Sequence, residues 1–240
     1  MRIDKERKKS LTAFQKLIKV RFKCIHTLNR ALTHRSYVNE ANRKLKHNET
    51  LEYLGDSVLA LGVNEYLFIQ YPDFTEKQLA RIKSVVVSRT TLTKIARSLN
   101  LGQYLLIGHG EEKSGGRDRQ SILADAMESI IGAVYYDCGV QRALKFVRSY
   151  FVPEIELVLQ GKHTKDYKSM LQEQVQKIYQ ERPYYRLIRQ TGPDHQRIFE
   201  MTVIIHGHEY GSGSGSSKRN AEQEAAEAAL HKFLHEKKHT

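Results

Sequence analysis

HNETLEYLGDSVLALG, residues 47–62, reads as an amphipathic helix that carries three acids, Glu49, Glu52 and Asp56. At about 100° per residue, positions i, i+3 and i+7 fall within roughly 60° of one another. Leu51, Leu54, Val58 and Leu61 lie on the opposite side. One face is built to pack and the other concentrates negative charge. Like charges at i, i+3 destabilise a helix by roughly 0.3 kcal/mol, so something cationic is expected to offset them.

A second stretch repeats the idea. In SILADAMESIIGAVYY (121–136) the apolar residues Ile122, Leu123, Ala126, Met127, Ile130, Ile131 and Val134 run almost all the way round, the pattern of a largely buried helix. Asp125 and Glu128 sit within it at i, i+3. Buried carboxylates without a partner are costly. They call for ion pairs with Arg or Lys, or for a shared cation. The joint solution is that the two helices cross with their acid faces together around a divalent ion. Hard oxygen donors with no Cys or His among them favour Mg2+, with Mn2+ substituting, over zinc. Glu49 taken alone reads more readily as part of a solvated face.

The charge balance gives that reading a context. The 240 residues hold 39 Lys plus Arg against 27 Asp plus Glu, a net charge of +12, and the isoelectric point is near 9.6. Such a chain suits a polyanion, nucleic acid more often than a membrane surface, although a merely soluble basic protein has the same balance. Bare carboxylates would repel a phosphodiester, and a metal held by them inverts the sign. A metal there would also make hydroxide available near neutral pH and stabilise charge on the phosphorus oxygens and the leaving 3′ oxygen. That chemistry is phosphodiester hydrolysis without a protein nucleophile. No Ser-His-Asp or Cys-His arrangement competes, and His34 and His47, the nearest histidines, read as structural.

Hydrophobic content of 40% supports real cores, in one large domain or two modest ones. Cys24 and Cys138 are far apart with no CxxC spacing, which argues against a disulfide framework or zinc site and fits a reducing, cytoplasmic setting. The basic N-terminus MRIDKERKKS is followed by LTAFQKLIKVRF, interrupted by Lys16, Lys19 and Arg21. It reads as neither signal peptide nor membrane span.

Helical spacing runs from Ser57 to Tyr71, stopping before Pro72, and again from Glu76 to Leu99 with a break near Ser88–Thr91. GHGEEKSGGRDR (108–119) reads as a charged, Gly-rich loop. The helix 121–139 ends at Gly139, and QRALKFVRSYF is expected to stop at Pro153. Beyond it VLQGKHTKDYKS reads as a linker. A helix at 168–180, strands at 184–190 and 197–207, a short HEYGSG strand and an Ala-rich helix at 220–234 follow. The expected class is α+β: an all-α domain at 1–157, a linker at 158–165, and a small α-β-β-β-α domain at 166–236.

GSGSGSS (211–217) could be a flexible linker. It lies between a strand and a helix, however, and runs into Lys218 and Arg219 at the helix start. Ser217, two cations and free backbone N–H groups there suit a phosphate. Gln172, Glu173 and Gln176 on the first helix suit 2′-hydroxyls in a shallow minor groove. His195 in TGPDHQ (191–196) is placed to reach a second groove. Singly each is ordinary surface; together they describe a reader of A-form duplex shape.

HNETLEYLGDSVL resembles the signature motif of the ribonuclease III family. ALTHRSY (31–37), GEEKSGG (110–116) and SILADAMESIIGAVYYDCG are similar to its other blocks in the same order, and DYKSMLQE, TGPDH and GSGSSKRNAEQEAA resemble its double-stranded-RNA-binding domain. The resemblance covers nearly the whole chain and is to the compact bacterial form. It implies an all-α endonuclease domain that forms a homodimer, with two metal-dependent sites in a valley across the dimer. By resemblance, Glu52, Asp125 and Glu128 match the metal ligands, Asp56 and Glu128 the acids most tied to catalysis, and Glu49 and Glu76 further acids that place metal or RNA. It also implies hydrolysis of both strands of duplex RNA, leaving 5′-phosphates and short 3′ overhangs, and processing of ribosomal, messenger and transfer RNA precursors, with no small-molecule cofactor. Thr50 stands where the family commonly has Arg, and Tyr53 where it commonly has Phe, at a position tied to the dimer contact.

A catalytically silent duplex-RNA-binding or ribosome-associated protein on the same fold would have lost an acid at 52, 56, 125 or 128, and none is lost. A DNA nuclease is disfavoured by a module suited to 2′-hydroxyls.

Overall fold

In the computed structural model the chain divides into two compact units, residues 1–163 and 164–240. The structure describes residues 3–41, 46–161, 167–193 and 197–236. His195, in the segment 194–196, lies outside them.

The first unit is helical. Its elements are α1 (Lys5–Leu17), α2 (Ile25–Ala31), α3 (Arg35–Glu40), α4 (Glu49–Gln70), α5 (Glu76–Val86), α6 (Arg89–Ser98), α7 (His109–Lys113), α8 (Gln120–Cys138) and α9 (Val140–Leu159). Several helix starts are capped by side chains. The Asp4 carboxylate accepts from Arg7 N at 2.7 Å, Thr75 and Gln78 form a reciprocal capping box on α5, and Ser88 caps α6 where the periodicity breaks. The α8 helix ends at Gly139 with φ +89°, a backbone suited to glycine.

α8 is the centre of the core: Met127, Ile130, Ile131, Ala133 and Val134 are fully buried. Leu59, Val63 and Leu67 of α4, Leu92 and Ile95 of α6, and Phe146, Val147 and Phe151 of α9 pack in the same cluster. Burying each large side chain of this kind contributes about 1.5–3 kcal/mol. Among the described residues this unit holds no strand, only an isolated bridge between Thr33 and Leu106.

Three local expectations change. α9 does not stop at Pro153 but continues through it to Leu159, two residues into the segment read as linker. Proline removes one ladder bond, yet Ile155 is buried beyond it and the Glu154 carboxylate, 8% exposed, pairs with Lys94 Nζ at 2.8 Å. Tertiary anchoring outweighs the lost bond. The 108–119 segment is not all loop: it forms α7 and a 3-10 turn at Gly116–Asp118, held by the Glu40 carboxylate, which accepts from His109 N (2.6 Å) and Gly110 N (3.0 Å). Leu61, expected to pack, is 51% exposed.

The second unit is α10 (Tyr167–Tyr179), β1 (Tyr184–Thr191), β2 (Ile198–Ile205), β3 (His208–Gly215) and α11 (Lys218–Glu236). The strands form an antiparallel sheet in the order β1-β2-β3. Tyr185 pairs with Val203 and Val203 with Gly211. A two-residue turn, His206–Gly207, joins β2 to β3 with positive φ at both positions (+48° and +78°), the backbone that tight hairpins require. Leu171 and Val175 of α10, Val203 and Ile205 of β2, and Ala226, Ala229, Leu230 and Phe233 of α11 make the core.

The GSGSG run is strand rather than loop, since β3 continues to Gly215. Its glycines face α11. A Cβ on Gly211, Gly213 or Gly215 would fall 2.5, 2.3 or 2.7 Å from the backbone nitrogens of Ala229, Ala225 and Ala221 respectively. Every second strand residue thus meets every fourth helix residue, glycine against alanine, and the helix lies directly on the strand backbone.

Candidate active site

α4 and α8 cross at two glycines. A Cβ on Gly55 would lie 1.8 Å from the Glu128 carbonyl oxygen, and one on Gly132 would lie 2.1 Å from the Leu51 carbonyl oxygen. No other residue fits either position without moving a helix. Gly55 is next to Asp56, and Gly132 is one turn beyond Glu128, so the close approach is also what brings the acid faces together.

The result is a cluster of Glu52, Asp125 and Glu128, each half-buried, with one carboxylate oxygen from each lying within 4.8 Å of the others. Burial pushes the Glu52 carboxyl up, with Asp125 and Glu49 adding to it. Burial also raises Asp125, against the nearby Arg89, His34 and Arg35. Glu128 is pushed from 4.5 up to about 7, by burial first and then by Asp56, Asp125 and Glu52. Three carboxylates raised above all by burial, and further by acidic neighbours, form a site that a cation would stabilise. Their donor set, oxygen only, fits a hard divalent cation.

Asp56 is exposed on α4, one turn beyond Glu52, and its charge acts on Glu128. Glu49 is exposed at the helix start, paired with Arg35 (3.4 Å) and 3.6 Å from His47 Nδ1. Glu76 is the first residue of α5 and exposed; it stands outside the cluster of three. His34 caps α3, with Nδ1 accepting from Ser36 N at 3.3 Å, and burial lowers its pKa. Its ring is engaged in capping its own helix, beside the acids.

Sequence reasoning missed several groups that surround the cluster. Gly55 and Gly132 had a signal: a glycine inside a helix costs about 1 kcal/mol relative to alanine, and one kept beside each acid marks a close approach. Ser129, fully buried, had a weaker one, a lone hydroxyl in an apolar run. Arg89 and Arg30 had none.

In the second unit, Gln172, Glu173, Gln176 and Lys177 line a shallow recess on α10, with Glu173 paired to Lys177 at 2.7 Å. Ser217 is the N-cap of α11, its hydroxyl accepting from Asn220 N at 3.2 Å, so its oxygen is engaged by its own helix. Lys218 and Arg219 are exposed in the first turn.

Comparison with known proteins agrees with this anatomy. Residues 25–155 match the family described as Ribonuclease-III-like, and residues 167–233 match the double-stranded RNA binding motif. The chain is 45% identical over 234 residues to Ribonuclease 3 of Treponema denticola, covering 98% of this chain and 95% of that one. It is 44% identical over 225 residues to Ribonuclease 3 of Borreliella burgdorferi, covering 94% and 92%. The nuclease domain of ribonuclease III from Campylobacter jejuni, a structure described for flexibility in the region involved in dimer formation, aligns with a TM-score of 0.53 at 37% identity, over 58% of this chain and 96% of that one. Among the described residues no helix is long and apolar enough to cross a membrane. The chain belongs to the ribonuclease III family and is a double-stranded-RNA endoribonuclease.

Proposed function

We propose that Glu52, Asp125 and Glu128 hold a divalent cation, Mg2+ with Mn2+ able to substitute, and that this site cuts both strands of duplex RNA to leave 5′-phosphates and short 3′ overhangs. The observation that carries the reading is the approach of three carboxylates to within 4.8 Å of one another. A cation held there supplies charge neutralisation at the phosphodiester and a more acidic water. Asp56, exposed beside Glu128, takes a proton from the attacking water at its carboxylate. Glu128, in the carboxylate cluster and within electrostatic reach of Asp56, orients that water. Glu49 and Glu76 act as further acids that place metal or RNA.

Gln172, Glu173, His195, Ser217, Lys218 and Arg219 contact the RNA. Lys218 and Arg219 take phosphate, and the cap at Ser217 leaves its part to the backbone N–H groups of the first turn. Residues 1–157 act as the nuclease domain and 166–236 as the RNA-binding domain, with a linker at 158–165. The active form is a homodimer. Tyr53 (82% exposed), Leu61, Phe68 (74%) and Ile69 of α4, with Tyr136 of α8 (73%), give it an apolar face to bury. Two free cysteines suit a cytoplasmic enzyme that processes ribosomal, messenger and transfer RNA precursors.

The test is cleavage of duplex RNA with Mg2+ by wild type and Glu128→Gln. The variant should keep RNA binding and lose cleavage. Full activity in the variant, or activity of the wild type in excess chelator, would sink the assignment.

A further inference from the structure

The first turn of α4, which presents Glu49 and Glu52, is held from two sides. From α2, the Arg30 guanidinium donates through Nε to the His47 carbonyl at 3.2 Å and through Nη2 to the Thr50 hydroxyl. From α8, the buried Ser129 hydroxyl lies 2.8 Å from the Asp125 carbonyl and 3.3 Å from the Asn48 carbonyl. Between them Asn48, 2% exposed, donates its N–H to the Thr33 carbonyl at 3.0 Å. Every anchored residue neighbours a carboxylate of the site. His47, Asn48 and Thr50 surround Glu49 and precede Glu52. Ser129 follows Glu128 and reaches the backbone of Asp125.

The shorter Ser129 contact, to the Asp125 carbonyl, is the usual back bond of a helical serine, but ordinary helix capping does not explain the contacts made to the first turn of α4. The Asn48 side chain makes no capping bond. The Asn48 carbonyl already accepts from Leu51 N (2.8 Å) and Glu52 N (3.0 Å), so it has no need of Ser129 for satisfaction. A cation at a helix N-terminus also opposes the macrodipole, yet Arg30 is fixed there by two acceptors. What the contacts do supply is a fixed spacing between the turn carrying Glu52 and the helix carrying Asp125 and Glu128.

We propose that Arg30 and Ser129 are positioning residues for the carboxylate cluster. Ser129 sets the distance from α4's first turn to α8, and Arg30, through His47 and Thr50, sets the rotation of that turn, so that Glu52 stays within ligating reach of the other two acids. The proposal rests on the reading of Glu52, Asp125 and Glu128 as metal ligands and adds the groups that hold their geometry.

The experiment titrates Mn2+ into the full-length protein and follows the free-ion signal by electron paramagnetic resonance. It compares wild type, Ser129→Ala, Arg30→Lys and Thr50→Val, and binding that is absent from Glu128→Gln defines the site. Loss of an outer contact of this kind weakens metal binding by about 10–100-fold. Ser129→Ala should weaken it by about tenfold, and Arg30→Lys, which keeps the charge but not the fork, by a similar factor. Thr50→Val removes one of Arg30's two acceptors and should have the smaller effect. The Mg2+ concentration for half-maximal cleavage should rise in step, with duplex-RNA affinity unchanged. Variants that melt earlier in chelator but bind Mn2+ as wild type does would overturn the proposal and leave these residues as structural glue. Should Ser129→Ala fail to fold, Arg30→Lys and Thr50→Val decide the matter. A wild type that takes up no Mn2+ at this site would overturn the metal reading itself, a result distinguishable from the first.

Discussion

Replacing Glu128 by Gln should make the metal-free protein more stable while abolishing cleavage. In the folded chain the Glu128 carboxyl is raised from 4.5 to about 7 by burial, Asp56, Asp125 and Glu52. A carboxyl with a raised folded pKa binds more protons when folded than when unfolded, so its contribution to stability falls as pH rises from about 4.5 to about 7. Above that window the ionised group opposes folding by the full difference. A rise from 4.5 to about 7 corresponds to about 3 kcal/mol. The group keeps contact with solvent, and screening reduces the figure to roughly 1–2 kcal/mol. Gln keeps the shape and removes the charge. In excess chelator at pH 8 the variant should melt roughly 3–6 °C above wild type, and the advantage should fade as pH drops toward 4.5. Saturating Mg2+ should reverse the order, because only the wild type gains binding energy in the folded state. Calorimetric melts at pH 8 and pH 5, with chelator and with Mg2+, measure all of this. A variant no more stable than wild type at pH 8 in chelator, or an advantage independent of pH, would refute the reasoning.

Three further outcomes are expected. Gly55→Ala should cost about 3 kcal/mol or more, because its Cβ would sit 1.8 Å from the Glu128 carbonyl oxygen, and should lower Mn2+ affinity; denaturant titration and metal binding check it. Gly213→Ala, with a Cβ 2.3 Å from Ala225 N, should unfold the second unit and weaken duplex-RNA binding in a mobility-shift assay, leaving the metal affinity of the first unit intact. Phe68→Asp, at a side chain 74% exposed, should leave the fold intact and shift sedimentation from dimer to monomer; an unchanged dimer would remove α4's apolar face from the interface.

The acids were legible because helical spacing is arithmetic: Glu49, Glu52 and Asp56 share a face whatever surrounds them, and Asp125 and Glu128 stand out in an apolar helix. The crossing that unites them was not, because it depends on what is missing from Gly55 and Gly132 and not on any side chain present. The same blindness hid the packing of GSGSGSS, which context had set apart from a linker without showing what its glycines face. Glycine at alternate positions signals flexibility in a chain taken alone and close packing once α11 lies across it. Pro153 failed as a stop signal because Glu154 and Ile155 find partners that local rules do not contain. Arg30 sits twenty residues from Thr50, and nothing local links them. The order of helices and strands, by contrast, followed from periodicity and from stop signals such as Pro72 and Gly139.

Where α4 and α8 touch, backbone meets backbone. Most helix pairs are separated by a layer of side chains that can change rotamer and absorb a small displacement. Here the Gly55 Cα rests against the carbonyl of Glu128 and the Gly132 Cα against the carbonyl of Leu51, so the joint has almost no compliance. A shift of either helix passes undamped into the separation of Glu52 from Asp125 and Glu128. The spacing of the three carboxylates is therefore set by the main chain at this crossing together with the contacts that anchor the first turn of α4.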